Sequence, residues 1–340
     1  MARVILAHNL IKPEMLCQGP LDRTAELDSA TTIAAMTAAL EAGGHQVIPL
    51  DVDHRVCCQL LEAQADIIFN VVEGLRGESR EAQLPALCEM LGIPYTGSGI
   101  LTLATCLDKA RTKEVLAYHG IATPPFQVMQ TPKTPLDTRL RFPLIVKLLH
   151  EGSSMGLSPA SIVEDGAALR RQVETTWQMY GEPLLIEEFI RGREFSVGVL
   201  GNDAPVVLPI AEYVFHDPHG IVLFVPDDPV AEMVTAVRGE PPAAFTPMHT
   251  TVCPADVDPV LAARIQDTAL AVYRVLGLRD WGRMEMRLGA DGRLYVLDVN
   301  PIAGIDPSYT LPRQARAAGM SYAELVNTIL NHALARYGLA

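Results

Sequence analysis

The stretch from Trp281 to Asn300 constrains this chain more than any other, because two strand-like runs meet there at Asp291-Gly292. Asp-Gly suits a two-residue type I′ turn, in which both central positions need positive φ. A turn centred there sets Glu285 opposite Asp298 and Arg283 opposite Asn300. Side chains alternate along a strand, so two acids, an amide and an arginine share one face. The other face collects Met284, Met286, Leu288, Tyr295, Leu297 and Val299 as core. Adjacent carboxylates repel, and a divalent cation removes that conflict. An all-oxygen ligand set suits Mg²⁺, with Mn²⁺ as a substitute, bridging protein carboxylates to nucleotide phosphates. The alternative is a solvated face on which Arg283 and Arg287 neutralise the acids.

Upstream, Val146-Lys147 runs into Glu151-Gly152-Ser153-Ser154-Met155-Gly156. Such a loop lets backbone N–H groups approach phosphate oxygens while a lysine supplies charge. GxxxxGK[ST] is absent and no GxGxxG follows a strand, so neither a P-loop nor a nicotinamide fold is supported.

A net charge of −13 and a pI near 5.1 argue against a nucleic-acid or membrane-surface partner. No run approaches the ~18 apolar residues of a membrane span, and the six cysteines form no CxxC pair. These features predict a cytoplasmic protein.

Alternating strand and helix patterns over residues 1–102 predict a doubly wound parallel α/β unit. Residues 103–184 read as a small central α+β unit and 185–340 as a C-terminal sheet domain. The proline-rich segment 213–250 reads as a mobile substrate-side loop.

Taken together, several blocks resemble the ATP-grasp superfamily and, within it, the D-alanine:D-alanine ligases. They are Gly92-Ile93-Pro94-Tyr95-Thr96-Gly97-Ser98, Leu107-Asp108-Lys109, Pro143 to Lys147 with Glu151 to Gly156, Ile186-Glu187-Glu188-Phe189 with Gly192-Arg193-Glu194-Phe195, Trp281-Gly282-Arg283, and Asp298-Val299-Asn300-Pro301. They follow the family's order from about residue 66 to the end. The resemblance implies a three-unit fold with ATP between the central and C-terminal units. It implies that Lys109 and Lys147, with Gly152 and Ser154 of the loop, grip the phosphates. Glu187, Phe189 and the backbone of Ile190 would meet the adenine, and Glu194 the ribose. Glu285, Asp298 and Asn300 match magnesium ligands. Arg283 and the Gly304 N–H would stabilise the transferring phosphoryl group and oxyanion, and Ser153 would orient substrate. The implied reaction makes an acyl phosphate from a carboxylate, which an amine then attacks. A homodimer is also implied.

The chain departs from the family on the amino-acid side. The Gly-Gly-x-Ser-x-Glu signature after the first strand is absent, Glu73-Gly74 stands where the ligases carry His-Gly, and Tyr309 replaces an acceptor-binding serine. The family's mobile-loop Lys-Tyr pair aligns with Ala243-Ala244. Glu73, Glu78, Arg80, Asp306 and Tyr309 are therefore the candidates for an altered substrate pocket, and the acids among them suit a substrate with extra positive charge. The expected activity is ATP-dependent joining of small carboxylate and amine substrates. A true D-alanine:D-alanine ligase with a divergent pocket and a non-catalytic nucleotide-binding protein are the alternatives.

Overall fold

The computed structural model describes residues 1–17, 19–217, 220–223, 228–239 and 248–339, with the side chains of 228 and 229 excepted. The first apolar run forms the parallel strand Arg3–His8 between Gln46–Asp51 and Ile67–Asn70. Helix Ala30–Ala42 starts at Ser29, whose side chain accepts from the Thr32 N–H, and stops at Gly43-Gly44. The C-terminal helix Tyr322–Arg336 lays Leu325, Ile329 and Leu330 into the same core as Leu6, Met36 and Leu40. The end of the chain thus completes the N-terminal unit.

A four-stranded antiparallel sheet makes the central unit, in the order Phe126–Met129, Leu184–Glu188, Leu144–Leu148, Ile162–Val163. This shifts the boundary expected at 184/185. Leu184–Glu188 pairs with two strands of the central sheet, which therefore takes in residues up to 188.

The C-terminal sheet has the order His249–Val252, Ala211–Phe215, Gly192–Leu200, Trp281–Gly289, Leu294–Asn300, with Val206–Val207 on the side. Its apolar face packs on helix Pro259–Val275 through Ile265, Ala269, Val272, Met284, Met286 and Val299. The 213–250 segment is less loop-like than its prolines suggest. It holds the end of one strand, helix Asp228–Arg238 and the start of another strand, and that helix packs Val230 and Val234 on Leu16. Arg238 donates to the carbonyls of Leu16 (2.7 Å) and Gly19 (2.9 Å), tying it to the N-terminal unit. Ala243-Ala244 lie outside the described residues.

Candidate active site

The hairpin forms with the expected pairing at its polar end, but by a different route. Gly292 N–H bonds to Gly289 O (2.9 Å) and Gly289 N–H to Arg293 O (2.8 Å). Only Gly292 of the Asp291-Gly292 pair has positive φ, so a longer turn replaces the two-residue one. Near the turn Met286 pairs with Val296 and Arg287 with Tyr295. A bulge between Glu285 and Met286 then restores Glu285 opposite Asp298 and Arg283 opposite Asn300. The extra residue is Leu297. Because a bulge interrupts the alternation, Leu294 and Val296 take the core positions expected of Tyr295 and Leu297, and Leu297 lines the ligand cavity beside Asp298.

The cavity is about 530 Å³ and lies between the central and C-terminal sheets and the N-terminal unit. Lys109, Lys147, Gly152, Ser153, Ser154, Glu187, Phe189, Ile190, Glu194, Arg283, Glu285, Asp298, Asn300 and Gly304 all line it. Residues spread over the last two-thirds of the sequence are thus brought to one chamber.

On the central side, Asp108 caps the helix Lys109–Tyr118 by accepting from Ala110 and Arg111 N–H. Lys109 therefore sits at the positive end of a helix dipole, an unfavourable place for a cation. It is held there by Glu151 O (2.6 Å) and by Asp298 Oδ1 at 3.5 Å. One turn later Lys113, only 2 % exposed, ion-pairs with Glu187 Oε2 at 2.9 Å and donates to Thr123 Oγ1 (2.8 Å) and to Leu297 O (3.4 Å). Lys147 Nζ takes the other Glu187 oxygen. Burial pushes the Glu187 carboxyl up, but the two lysines outweigh it and hold it at about 2. Lys113 was missed in the sequence; its place four residues after Lys109 on one helix face was the available signal.

Arg287, which the alternative of a solvated face would leave at the surface, is buried. Its guanidinium lies over the Phe189 ring (4.8 Å) and the Phe215 ring (5.3 Å) and donates to Glu194 Oε2 (2.7 Å) and Ile190 O (2.8 Å). It thereby couples the residues expected at the ribose and the adenine edge.

At the opposite wall, Glu285 Oε1 accepts from Arg283 Nε (2.7 Å) and Ser196 Oγ (3.1 Å). Its Oε2 is buried without a hydrogen-bond partner, and burial raises its carboxyl to about 7. An orphaned oxygen beside a second carboxylate and an amide fits a hard divalent cation. Among the described residues, no set of three His, Cys, Asp or Glu does so.

The glycine-serine loop holds two carboxylates. Gly152 N–H donates to Glu26 Oε1 (2.6 Å) and Gly156 N–H to Asp22 Oδ2 (2.8 Å). Ser153 and Ser154 both have positive φ, at 47° and 60°, in keeping with a backbone shaped around an anion.

The substrate candidates divide. Glu73, Asp306 and Tyr309 line the cavity. Glu78 and Arg80 do not; they border a neighbouring cleft. Arg80 is a buried bridge, bound to Glu26 (2.5 Å) and Glu151 (2.9 Å), because an uncompensated guanidinium at that depth would be too costly. Asp306 is occupied by Thr32 Oγ1 and Ser308 Oγ, both at 2.5 Å. Three further acids that the sequence reading passed over, Glu26, Asp28 and Glu81, line the same chamber.

A central and a C-terminal sheet enclosing lysines on one side and paired carboxylates on the other define an ATP-grasp enzyme. A family model described as "D-ala D-ala ligase C-terminus" matches residues 115–221 and 245–331. The D-alanine–D-alanine ligase of Erythrobacter litoralis is 34% identical over 309 residues, covering 88% of this chain and 86% of the relative. An uncharacterised protein of Sinorhizobium fredii is 33% identical over 311 residues, covering 89% and 87%. The crystal structure of the D-alanine–D-alanine ligase from Bacillus anthracis complexed with ATP superposes with a TM-score of 0.74 over 99% of both chains, at 23% identity. The chain belongs to the D-alanine–D-alanine ligase family and is an ATP-using ligase that forms C–N bonds.

Proposed function

We propose that this enzyme joins the carboxylate of one amino acid to the amine of another, converting ATP to ADP and phosphate through an acyl phosphate. The supporting observation is the bulged hairpin, which brings Glu285 and Asp298 face to face in the chamber that also holds Lys109, Lys147 and Arg283.

A free carboxylate is a poor electrophile, and phosphorylation makes it a good one. Little covalent chemistry is asked of the protein, so positioning and charge neutralisation carry the catalysis. Lys109 and Lys147 hold the phosphates. Glu187, pinned between Lys147 and Lys113, fixes the lysine position. Arg283 meets the charge that develops on the transferring group, with the Gly304 N–H as a second donor. Glu285, Asp298 and Asn300 would hold Mg²⁺, or Mn²⁺ in its place, and the ion would supply neutralisation of phosphate charge. Helix Asp228–Arg238, lying against Leu16, helps close the chamber to water.

D-alanine as both substrates is the reading that the similarly sized relatives support best, several of them named D-alanine–D-alanine ligase at 32–34% identity. We also place the enzyme in the cytoplasm as a homodimer; among the described residues no helix is long and apolar enough to cross a membrane. The test is ADP release with Mg²⁺ across amino-acid pairs, with mass detection of the product. ADP and a condensed product are expected. Absence of both with every pair would reject the ligase reading.

A further inference from the structure

Separate parts of the chamber wall meet on the Arg287 side chain. Its strand, Trp281–Gly289, sets it directly opposite Glu194 of Gly192–Leu200. Nε and Nη2 donate to a single oxygen of that carboxylate, Oε2, while Nη1 donates to Ile190 O and Nη2 also to Gly220 O. Ile190 lies in the connection from the central-sheet strand Leu184–Glu188 to Gly192–Leu200. Gly220 lies beyond the strand Ala211–Phe215 and leads into Ile221, Val222 and Leu223 of the chamber lining. With the Phe189 and Phe215 rings against it as well, the guanidinium is 4 % exposed.

Stability does not account for this arrangement. A guanidinium is costly to desolvate, and a buried ion pair is often no more stable than apolar side chains of similar volume. Nor is Arg287 set to grip a ligand itself, since a guanidinium has five N–H donors and protein acceptors take four. What these bonds do is hold Glu194. Two donors fix its carboxylate through Oε2, whereas Oε1 has no hydrogen bond among the described residues, and Glu194 lines the chamber. An oriented carboxylate oxygen is an acceptor for an incoming hydroxyl, and a bond to it is charge-assisted.

Resting on the reading of the chamber as an ATP site, we propose that Arg287 is the positioning residue for the ribose. It presents Oε1 of Glu194 to a ribose hydroxyl, and through that carboxylate the enzyme selects a ribonucleotide over a deoxyribonucleotide. A lysine cannot take its place, because a point charge on a flexible stem does not hold Glu194, Ile190 O and Gly220 O in one plane.

Calorimetry of Mg·ATP, Mg·2′-deoxyATP and Mg·3′-deoxyATP binding to the full-length enzyme tests this without turnover. One of the deoxy analogues is expected to bind the wild type about tenfold or more weakly than ATP, because it lacks the donor for which the acceptor is set. In R287M, R287K and E194Q that ratio is expected to fall by about threefold or more. R287M/E194Q, which leaves no orphaned charge, is expected to match E194Q, because Arg287 acts only through Glu194. Support of the fold alone would weaken all three nucleotides by the same factor. An unchanged ratio in folded R287M or R287K therefore overturns the proposal, as does equal binding of the three nucleotides by the wild type. Both results leave the ATP reading intact. A wild type that binds none of the three overturns that reading together with the proposal.

Discussion

Glu285 faces Asp298 because Leu297 is one residue more than its strand needs. Without that bulge the alternation running back from the turn would send Asp298 toward the core that Val296 and Val299 occupy. The bulge is itself tethered, since the Leu297 carbonyl accepts from buried Lys113. The hairpin's paired carboxylates and the lysine-carboxylate cluster are therefore one mechanical unit.

Replacing Asp298 by Asn, or Glu285 by Gln, keeps shape and removes charge. ADP formation should fall by about 10²-fold or more, on the order of 3 kcal/mol of transition-state stabilisation, with little change in melting temperature. The upward shift in Tm that Mg·ATP gives the wild type should shrink in both variants. Turnover at the wild-type rate in either one would remove these residues from the site.

Lys113→Met strands Glu187 with one counter-charge in a buried position. Breaking a buried pair on one side costs about 3 to 5 kcal/mol. Lys113→Met/Glu187→Gln should be more stable than Lys113→Met alone, because the orphaned charge is gone. Urea unfolding of the two singles and the double measures this coupling, and strict additivity would show that the pair does not interact.

Stability of the ligand-free enzyme should decline as pH rises toward 7. Burial, reinforced by neighbouring carboxylates, lifts Asp28 and Glu285 from ordinary values of 3.8 and 4.5 to about 7. A carboxyl raised in this way binds its proton more tightly when folded. Its contribution is complete below its ordinary value and is lost as pH climbs through the folded one. Glu187 has the opposite sign, and its contribution disappears only as pH falls toward 2. Differential scanning fluorimetry from pH 5 to 8 should show a falling Tm, and Asp28→Asn should flatten the slope. A Tm that rises over this range contradicts the assignment.

Val234→Asp places a charge where Val234 is 1 % exposed against Leu16. The contact between helix Asp228–Arg238 and the Pro13–Leu16 turn should open at a cost of about 2 kcal/mol or more. Amide exchange should speed up in these two segments and stay unchanged in Trp281–Gly289. Uniform acceleration across the chain would mean instead that the helix supports the whole fold.

The sequence alone determined the local units. Alternating apolar residues gave the strands, and the ordered blocks from Gly92 to Pro301 pointed to the family. Tertiary structure decided what those patterns leave open. Periodicity could not show that Leu297 is an inserted residue, because one extra residue in a strand alters pairing without altering composition. Nor could it show that Arg80 bridges Glu26 and Glu151, or that Lys113 is buried, since a charged side chain reads as solvated until the fold supplies its partner. Short-range pattern follows from the chain's own geometry. Charge compensation and strand register are settled between segments that are distant in sequence, and only their meeting fixes them.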